Sequence, residues 1–113
     1  VAPTTPESRI PKIVEQAGGF IYYVSREGVT GTRDDLASDL KQRVSVIREH
    51  TDLPVVVGFG ISSPEQVREV ASYSDGVVVG SALVNCISEN LGDSSLIVQK
   101  IGERARFLTS GLM

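Results

Sequence analysis

The sequence predicts an α/β fold in which parallel strands alternate with helices. Apolar runs at residues 20–25, 53–60 and 75–81 have the length of strands, and none alternates between apolar and polar side chains. Continuous apolar runs are typical of a parallel sheet that is covered on both faces. Segments with apolar residues at helical spacing separate the runs. We therefore expect consecutive strand–helix units without a linker between them.

The first half of the chain predicts a helix, a strand and a second helix. Residues 4–19 have helical spacing, with Thr4 and Glu7 at the separation of a capping box and two glycines at the end. The run FIYYVS at 20–25 predicts the first strand, which a glycine-containing loop follows. Residues 34–50 predict the next helix, because acidic residues begin it and basic residues end it.

The second half repeats a unit of strand, glycine and helix. After the strand at 53–60, Ser63, Pro64 and Gln66 suit the N-cap, first and third positions of a helix. The remaining predicted elements are a strand at 75–81, a short helix at 81–90, a break at 91–93 and a final long helix.

Composition excludes several classes of function. A net charge of -3, 5% aromatic residues and no Trp provide neither a basic nor a stacking surface for nucleic acid. No run is long enough to span a membrane, and no signal peptide opens the chain. The single cysteine, Cys86, cannot form an internal disulfide, which fits a reducing compartment, and we expect a cytoplasmic location. Cys86 has apolar neighbours in the predicted short helix, so we expect a packing role for its thiol.

Small residues, rather than histidine or carboxylates, end the predicted strands. The second strand ends in GFG at Gly60, the third ends at Gly80 and Ser81, and Gly31 lies in the loop after the first. Chemistry in parallel α/β folds occurs at these carboxyl ends. Uncovered backbone N–H groups and helix starts favour an anion there, so the pattern predicts a phosphate site. A glycine after a single strand is more commonly only part of a turn.

The segments FIYYVSREGVTGTR, LPVVVGFGISSPEQV and SDGVVVGSALV closely resemble the C-terminal half of the tryptophan synthase alpha family. The resemblance covers the chain in order and implies part of a (βα)8 TIM barrel. Residues 1–113 would form roughly strands six to eight with their helices, and the N-terminal half would be absent. It implies cleavage of indole-3-glycerol phosphate to indole and glyceraldehyde 3-phosphate, without a cofactor, in tryptophan biosynthesis. The family's beta subunit would receive the indole.

The resemblance also implies roles for individual residues. Tyr22 would lie near the glycerol and indole parts of the substrate, and Phe59 would pack near the indole. Thr30 would help to position a catalytic aspartate when its loop closes. The residues implied to hold the substrate phosphate, in agreement with the glycine pattern, are Gly31, Gly60, Gly80 and Ser81.

The family's catalytic glutamate and aspartate lie on earlier strands that this sequence does not contain. Retro-aldol cleavage needs a base for the glycerol hydroxyl and an acid for the indole carbon. We expect no catalytic residue and no metal site in this chain, which opens without Met and is interpreted as a piece of a longer protein. The carboxylates considered as substitutes, and expected on helix surfaces or at the bottom of the sheet, are Asp34, Asp35, Asp39, Glu49 and Asp75. His50 is expected to be a surface residue.

Three strands cannot close an eight-stranded barrel. The chain alone is therefore expected to be inactive, to expose sheet edges and an apolar inner face, and to assemble or self-associate. Two alternatives stay open at this point. One is another phosphate-binding barrel, similar to phosphoribosyl isomerase or thiamine-phosphate synthase, and the other is a non-catalytic half-barrel that binds phosphate.

Overall fold

The computed structural model describes residues 1–25, 33–58, 60 and 63–112, with the backbone alone for 33–38. It confirms the predicted order of helices and strands within these ranges. The elements are a 3-10 helix at Glu7–Arg9, α1 at Ile10–Glu15, β1 at Ile21–Val24, α2 at Arg33–Arg48, β2 at Val55–Gly58, α3 at Pro64–Ala71, β3 at Gly76–Val78, α4 at Ser81–Glu89, α5 at Ser94–Thr109 and a 3-10 helix at Ser110–Leu112.

The three strands form one parallel sheet in the order β1-β2-β3. Val56 of β2 lies opposite Tyr22 of β1 and Gly76 of β3. Because the strands are parallel and adjacent in chain order, their carboxyl ends meet at one edge. The backbone N–H of Ser25 extends the pairing there by donating to Gly58 O at 2.8 Å. The prediction of a parallel α/β architecture is confirmed.

The hydrophobic core lies between one face of the sheet and the helices. Ile21 and Tyr23 of β1 alternate with exposed residues, so one side chain in two points into this core. Burying a side chain of this size stabilises the fold by about 1.5–3 kcal/mol. Val44, Ile47, Val55 and Val57 are fully buried in the same cluster, and α3 adds Val67 and Val70. None of the helices in the described ranges could cross a lipid bilayer.

The opposite face of the sheet is partly open, which confirms the expectation that an incomplete barrel exposes its inner face, whereas the apolar strands taken alone predict a sheet covered on both faces. Tyr22 is 37% exposed and Val24 is 49% exposed. The apolar strands therefore suit a protein in which a further part of the chain covers this face, as the resemblance to a barrel implies. The aromatic ring of Tyr22 lies across Gly58, where an added Cβ would come within 2.7 Å of Tyr22 Cζ. A Cβ on Gly76 would meet Val56 Cγ1 at 2.9 Å.

Local capping chemistry was predicted correctly for α3 and wrongly for the first helix. Ser63 has an extended backbone, and its Oγ accepts a hydrogen bond from Gln66 N at 3.3 Å. The capping box of Thr4 and Glu7 does not form, since Pro6 precedes the 3-10 helix and no side chain caps it. Thr5 Oγ1 instead accepts from Ala2 N at 3.0 Å. This short-range bond organises a turn, and α1 begins later, at Ile10.

Candidate phosphate site

The candidate site lies at the carboxyl edge of the sheet. Gly60 follows β2 and is half-buried, and Gly80 and Ser81 follow β3 and are exposed. Since β2 and β3 are neighbours, the structure brings the ends that carry these three residues to the same edge. Gly31, Thr30 and Phe59 lie outside the described residues.

The start of α4 has no side-chain cap. Gly80 is the N-cap residue, and no side chain makes a capping hydrogen bond there. Its carbonyl accepts hydrogen bonds from Leu83 N at 2.9 Å and Val84 N at 3.0 Å. The N–H groups of Ser81 and Ala82 precede these first helical bonds, as at any helix start. A Cβ built on Gly80 would meet nothing within 4 Å, so the space beside this residue is open.

The two helix starts at this edge differ, although the sequence pattern treats them alike. Ser63 caps α3, and its Oγ already accepts from Gln66 N. Moreover, α3 begins at Pro64, four residues after Gly60, so Gly60 belongs to a loop rather than to a helix start. Of these two helices, α4 is therefore the one whose start has no side-chain cap.

Tyr22 reaches towards the same region from β1. Its side chain lies on the open face of the sheet, and its hydroxyl contacts the position where a Cβ on Gly58 would stand. Gly58 ends β2, two residues before Gly60. Tyr22 thus lines the open face just below the carboxyl edge. The sequence could not reveal the packing of Tyr22 on Gly58, because the two are 36 positions apart.

The carboxylates considered as catalytic substitutes lie elsewhere wherever their side chains are described. Asp39 is exposed on α2, with its Oδ1 3.8 Å from Arg43 Nε. Asp75 lies at the amino end of the sheet, where its Oδ2 accepts from Val55 N at 2.9 Å and is 2.8 Å from Arg48 Nη2. Glu49 follows α2 and is exposed. The side chains of Asp34 and Asp35 lie outside the described residues.

The positions of Cys86, His50 and Tyr73 are also described by the structure. Cys86 is 4% exposed, and its Sγ lies 3.5 Å from Ala82 O and 3.9 Å from Lys100 O, between α4 and α5. His50 is exposed in the turn after α2. Tyr73, which follows α3, packs partly buried against the core, and this burial raises its pKa to about 12.

A cavity of about 280 Å³ lies on the helix-covered side of the sheet, lined by Thr5, Tyr23 and Arg43 among others. A more open groove of about 560 Å³ runs along α4 and α5 beside Cys86 and Lys100. Neither is lined by Gly60, Gly80 or Ser81. The three residues are therefore distinct from the linings of these two cavities.

Comparison with known proteins identifies the family. The profile of the tryptophan synthase alpha chain matches residues 1–112. The chain belongs to the tryptophan synthase alpha chain family. The family's protein from Opitutus terrae is 60% identical over 111 residues, which are 98% of this chain and 42% of that protein. The family's protein from Geobacter sp. is 46% identical over 113 residues, covering all of this chain and 42% of its own length.

Solved structures of this family share the fold. The alpha subunit from Campylobacter jejuni matches with a TM-score of 0.74 and 38% identity, over 88% of this chain and 40% of that one. A mutant alpha subunit from Pyrococcus furiosus matches with a TM-score of 0.76 and 31% identity, over 97% and 43%. The three-stranded sheet is therefore part of the family's TIM barrel. The chain spans about two fifths of the length of the relatives it matches.

Proposed function

We propose that this chain is the phosphate-binding part of a cytoplasmic tryptophan synthase alpha subunit. The complete protein would be a lyase that cleaves indole-3-glycerol phosphate in tryptophan biosynthesis, without a cofactor. Membership of the family supports the reaction. The single structural observation that supports the binding role is the uncapped, uncovered start of α4 at the carboxyl edge of the sheet.

The proposed reaction needs one set of groups that binds the substrate phosphate and another set that transfers protons. A base takes the proton of the glycerol hydroxyl next to the indole, the carbon–carbon bond breaks as the aldehyde forms, and an acid protonates the indole carbon. The family resemblance assigns both groups to earlier strands. In this chain, backbone N–H groups at Gly60, Gly80 and Ser81, the Ser81 hydroxyl and Gly31 would hold the phosphate. They would fix the reacting bond relative to groups on those earlier strands.

The helix dipole gives the scale of this binding. An anion at a helix N-terminus gains about 0.3–1 kcal/mol when exposed and up to about 2 kcal/mol when partly buried. Such an interaction alone holds phosphate weakly. Further N–H donors from Gly60 and Gly31, and apolar contacts between Tyr22 and the indole, would supply the rest of the affinity.

An assay of indole release tests whether the catalytic groups lie outside this chain. We expect the full-length protein to release indole from indole-3-glycerol phosphate, and this chain alone to release none. Adding the N-terminal half as a separate polypeptide should restore part of the release if the two pieces assemble. Indole formation by the bare chain would contradict the proposal, because it would require a catalytic pair within these residues.

Substitution of Ser81 separates phosphate binding from folding. Ser81→Asp places a negative charge at the start of α4, where the dipole stabilises it by about 0.3–1 kcal/mol, while the charge repels phosphate. In the full-length protein we expect weaker binding of glycerol 3-phosphate, measured by calorimetry, with unchanged or slightly raised thermal stability. Ser88→Asp is the matched control, since Ser88 is exposed near the other end of α4. Equal effects of the two substitutions on binding would contradict the site.

The proposed partners are the beta subunit, which would accept the indole, and a complementary barrel piece. The open face around Tyr22 and Val24 supports self-association of the bare chain when no such piece is present. Size-exclusion chromatography with light scattering should detect dimers or larger species. A stable monomer over the whole concentration range would contradict this proposal.

A further inference from the structure

Three metal-ligating side chains gather on the outer surface, away from the carboxyl edge of the sheet. Glu7 opens the first 3-10 helix, and Glu49 and His50 form the turn after α2. All three are exposed, and one ligand atom from each lies within 4.8 Å of the other two. The backbone N–H groups of Glu49 and His50 donate to Ser45 O at 3.2 Å and Ile47 O at 3.0 Å, which continues the helical turn and fixes both residues.

The negative charge of this group has no partner within the described part of the protein. The ion pairs there are Asp39 with Arg43, Arg48 with Asp75 and Lys100 with Glu103, so neither Glu7 nor Glu49 takes part in one. Arg48, the basic residue next to Glu49 in the chain, is engaged at 2.8 Å with Asp75. The group also stands at the carboxyl end of α2, where the helix dipole attracts a cation.

We propose that Glu7, Glu49 and His50 form a site for a divalent transition metal such as Zn²⁺. One imidazole nitrogen and two carboxylate oxygens are a mixed ligand set that zinc accepts, with water completing a tetrahedron. Metal–ligand bonds of about 2.0–2.2 Å place tetrahedral ligand atoms about 3.3–3.6 Å apart. The ligand atoms therefore have to approach one another by at most about 1.2–1.5 Å, which exposed side chains can do by rotating.

A bound metal would link two segments that are 42 positions apart, the 3-10 helix before α1 and the end of α2. These two helices lie on either side of β1 in the chain. A ligand that binds only the folded state stabilises it by mass action. The site is independent of the proposed phosphate binding, because it shares no residue with the carboxyl edge.

Titration of the full chain with Zn²⁺ in a calorimeter tests the proposal. We expect one ion per chain, and His50→Gln should weaken binding at least about tenfold, since it removes the only nitrogen ligand. Glu7→Gln should also weaken it. Glu15→Gln, which removes an exposed carboxylate from α1 outside the group, is the matched control and should leave binding unchanged.

Thermal unfolding and Co²⁺ absorption provide two further measurements. Zn²⁺ should raise the melting temperature of the wild-type chain, EDTA should reverse the rise, and His50→Gln should abolish it. The Co²⁺ complex should lack a thiolate charge-transfer band, because Cys86 takes no part. No detectable Zn²⁺ binding, binding that is indifferent to both His50→Gln and Glu7→Gln, or a thiolate band would overturn the proposal.

Discussion

Replacement of Gly58 by alanine should displace Tyr22 from the sheet. A Cβ at position 58 would come within 2.7 Å of Tyr22 Cζ and 3.2 Å of Tyr22 Cε1, both closer than ordinary van der Waals contact allows. Overpacking of this kind costs about 1–3 kcal/mol, and loss of glycine's extra freedom in the unfolded chain returns about 0.4–1 kcal/mol. Because Tyr22 is 37% exposed, its ring can swing outwards, so we expect a net loss of about 1 kcal/mol.

A double-mutant cycle isolates this contact. Urea unfolding of the wild type, Gly58→Ala, Tyr22→Ala and the double variant gives the coupling free energy. In the Tyr22→Ala background the new methyl group meets no ring, so Gly58→Ala should be neutral or slightly stabilising. The coupling should therefore be about 1–2 kcal/mol, within the range for residues in contact.

The control for the cycle is Gly102→Ala in α5. Its Cβ would lie 3.4 Å from the end of the Arg106 side chain, an ordinary contact. Alanine in a helix interior is better than glycine by about 0.8–1 kcal/mol, so this variant should be stabilised in both Tyr22 backgrounds alike. An equal cost of Gly58→Ala with and without the tyrosine ring would refute the reasoning.

Three other predictions concern stability. Gly111→Ala should cost at least about 1–3 kcal/mol in urea unfolding, because its Cβ would collide with the backbone of Pro64, which cannot swing away. Ser63→Ala should lower the free energy of unfolding by about 1 kcal/mol, because it removes the side-chain cap of α3. Ser63→Asp should keep most of the stability that the cap contributes. Tyr73 has a folded-state pKa raised to about 12 from 10.0, so its neutral form stabilises the fold below pH 10 and that contribution is lost as the pH rises towards 12. Tyr73→Phe should lose less stability over this interval, as followed by circular dichroism, and an identical alkaline profile would contradict the assignment.

Local chemistry explains which features the sequence predicted well. Ser63 and Gln66 are three residues apart, and the bond between them depends on the backbone of that segment alone. The strands were identified for the same reason, since β-branched runs bounded by glycine carry their own signal. The capping box of Thr4 and Glu7 failed because the first helical turn begins at Glu7, so that Pro6 rather than Thr4 takes the N-cap position.

Features that depend on distant residues could not be predicted in this way. The Glu7–Glu49–His50 group has no spacing that indicates a metal, because the fold, not the sequence, brings Glu7 beside the end of α2. Similarly, α3 has a side-chain cap and α4 has none, because Ser63 accepts a hydrogen bond from the first turn of α3 and Gly80 has no side chain. Apolar strands indicate a covered sheet, yet they do not say which part of the protein covers it, as the exposure of Val24 illustrates.

The two glycines of the inner face have a consequence for sequence change in this part of the barrel. Tyr22 leans over Gly58, and Val56 leans over Gly76, so each large side chain occupies the space that its neighbouring strand leaves vacant. Both large side chains extend in the same direction across the sheet, from β1 towards β3. A larger residue at Gly58 or Gly76 therefore requires a smaller side chain at its neighbour, Tyr22 or Val56. Substitutions at these four positions should be tolerated in pairs rather than singly.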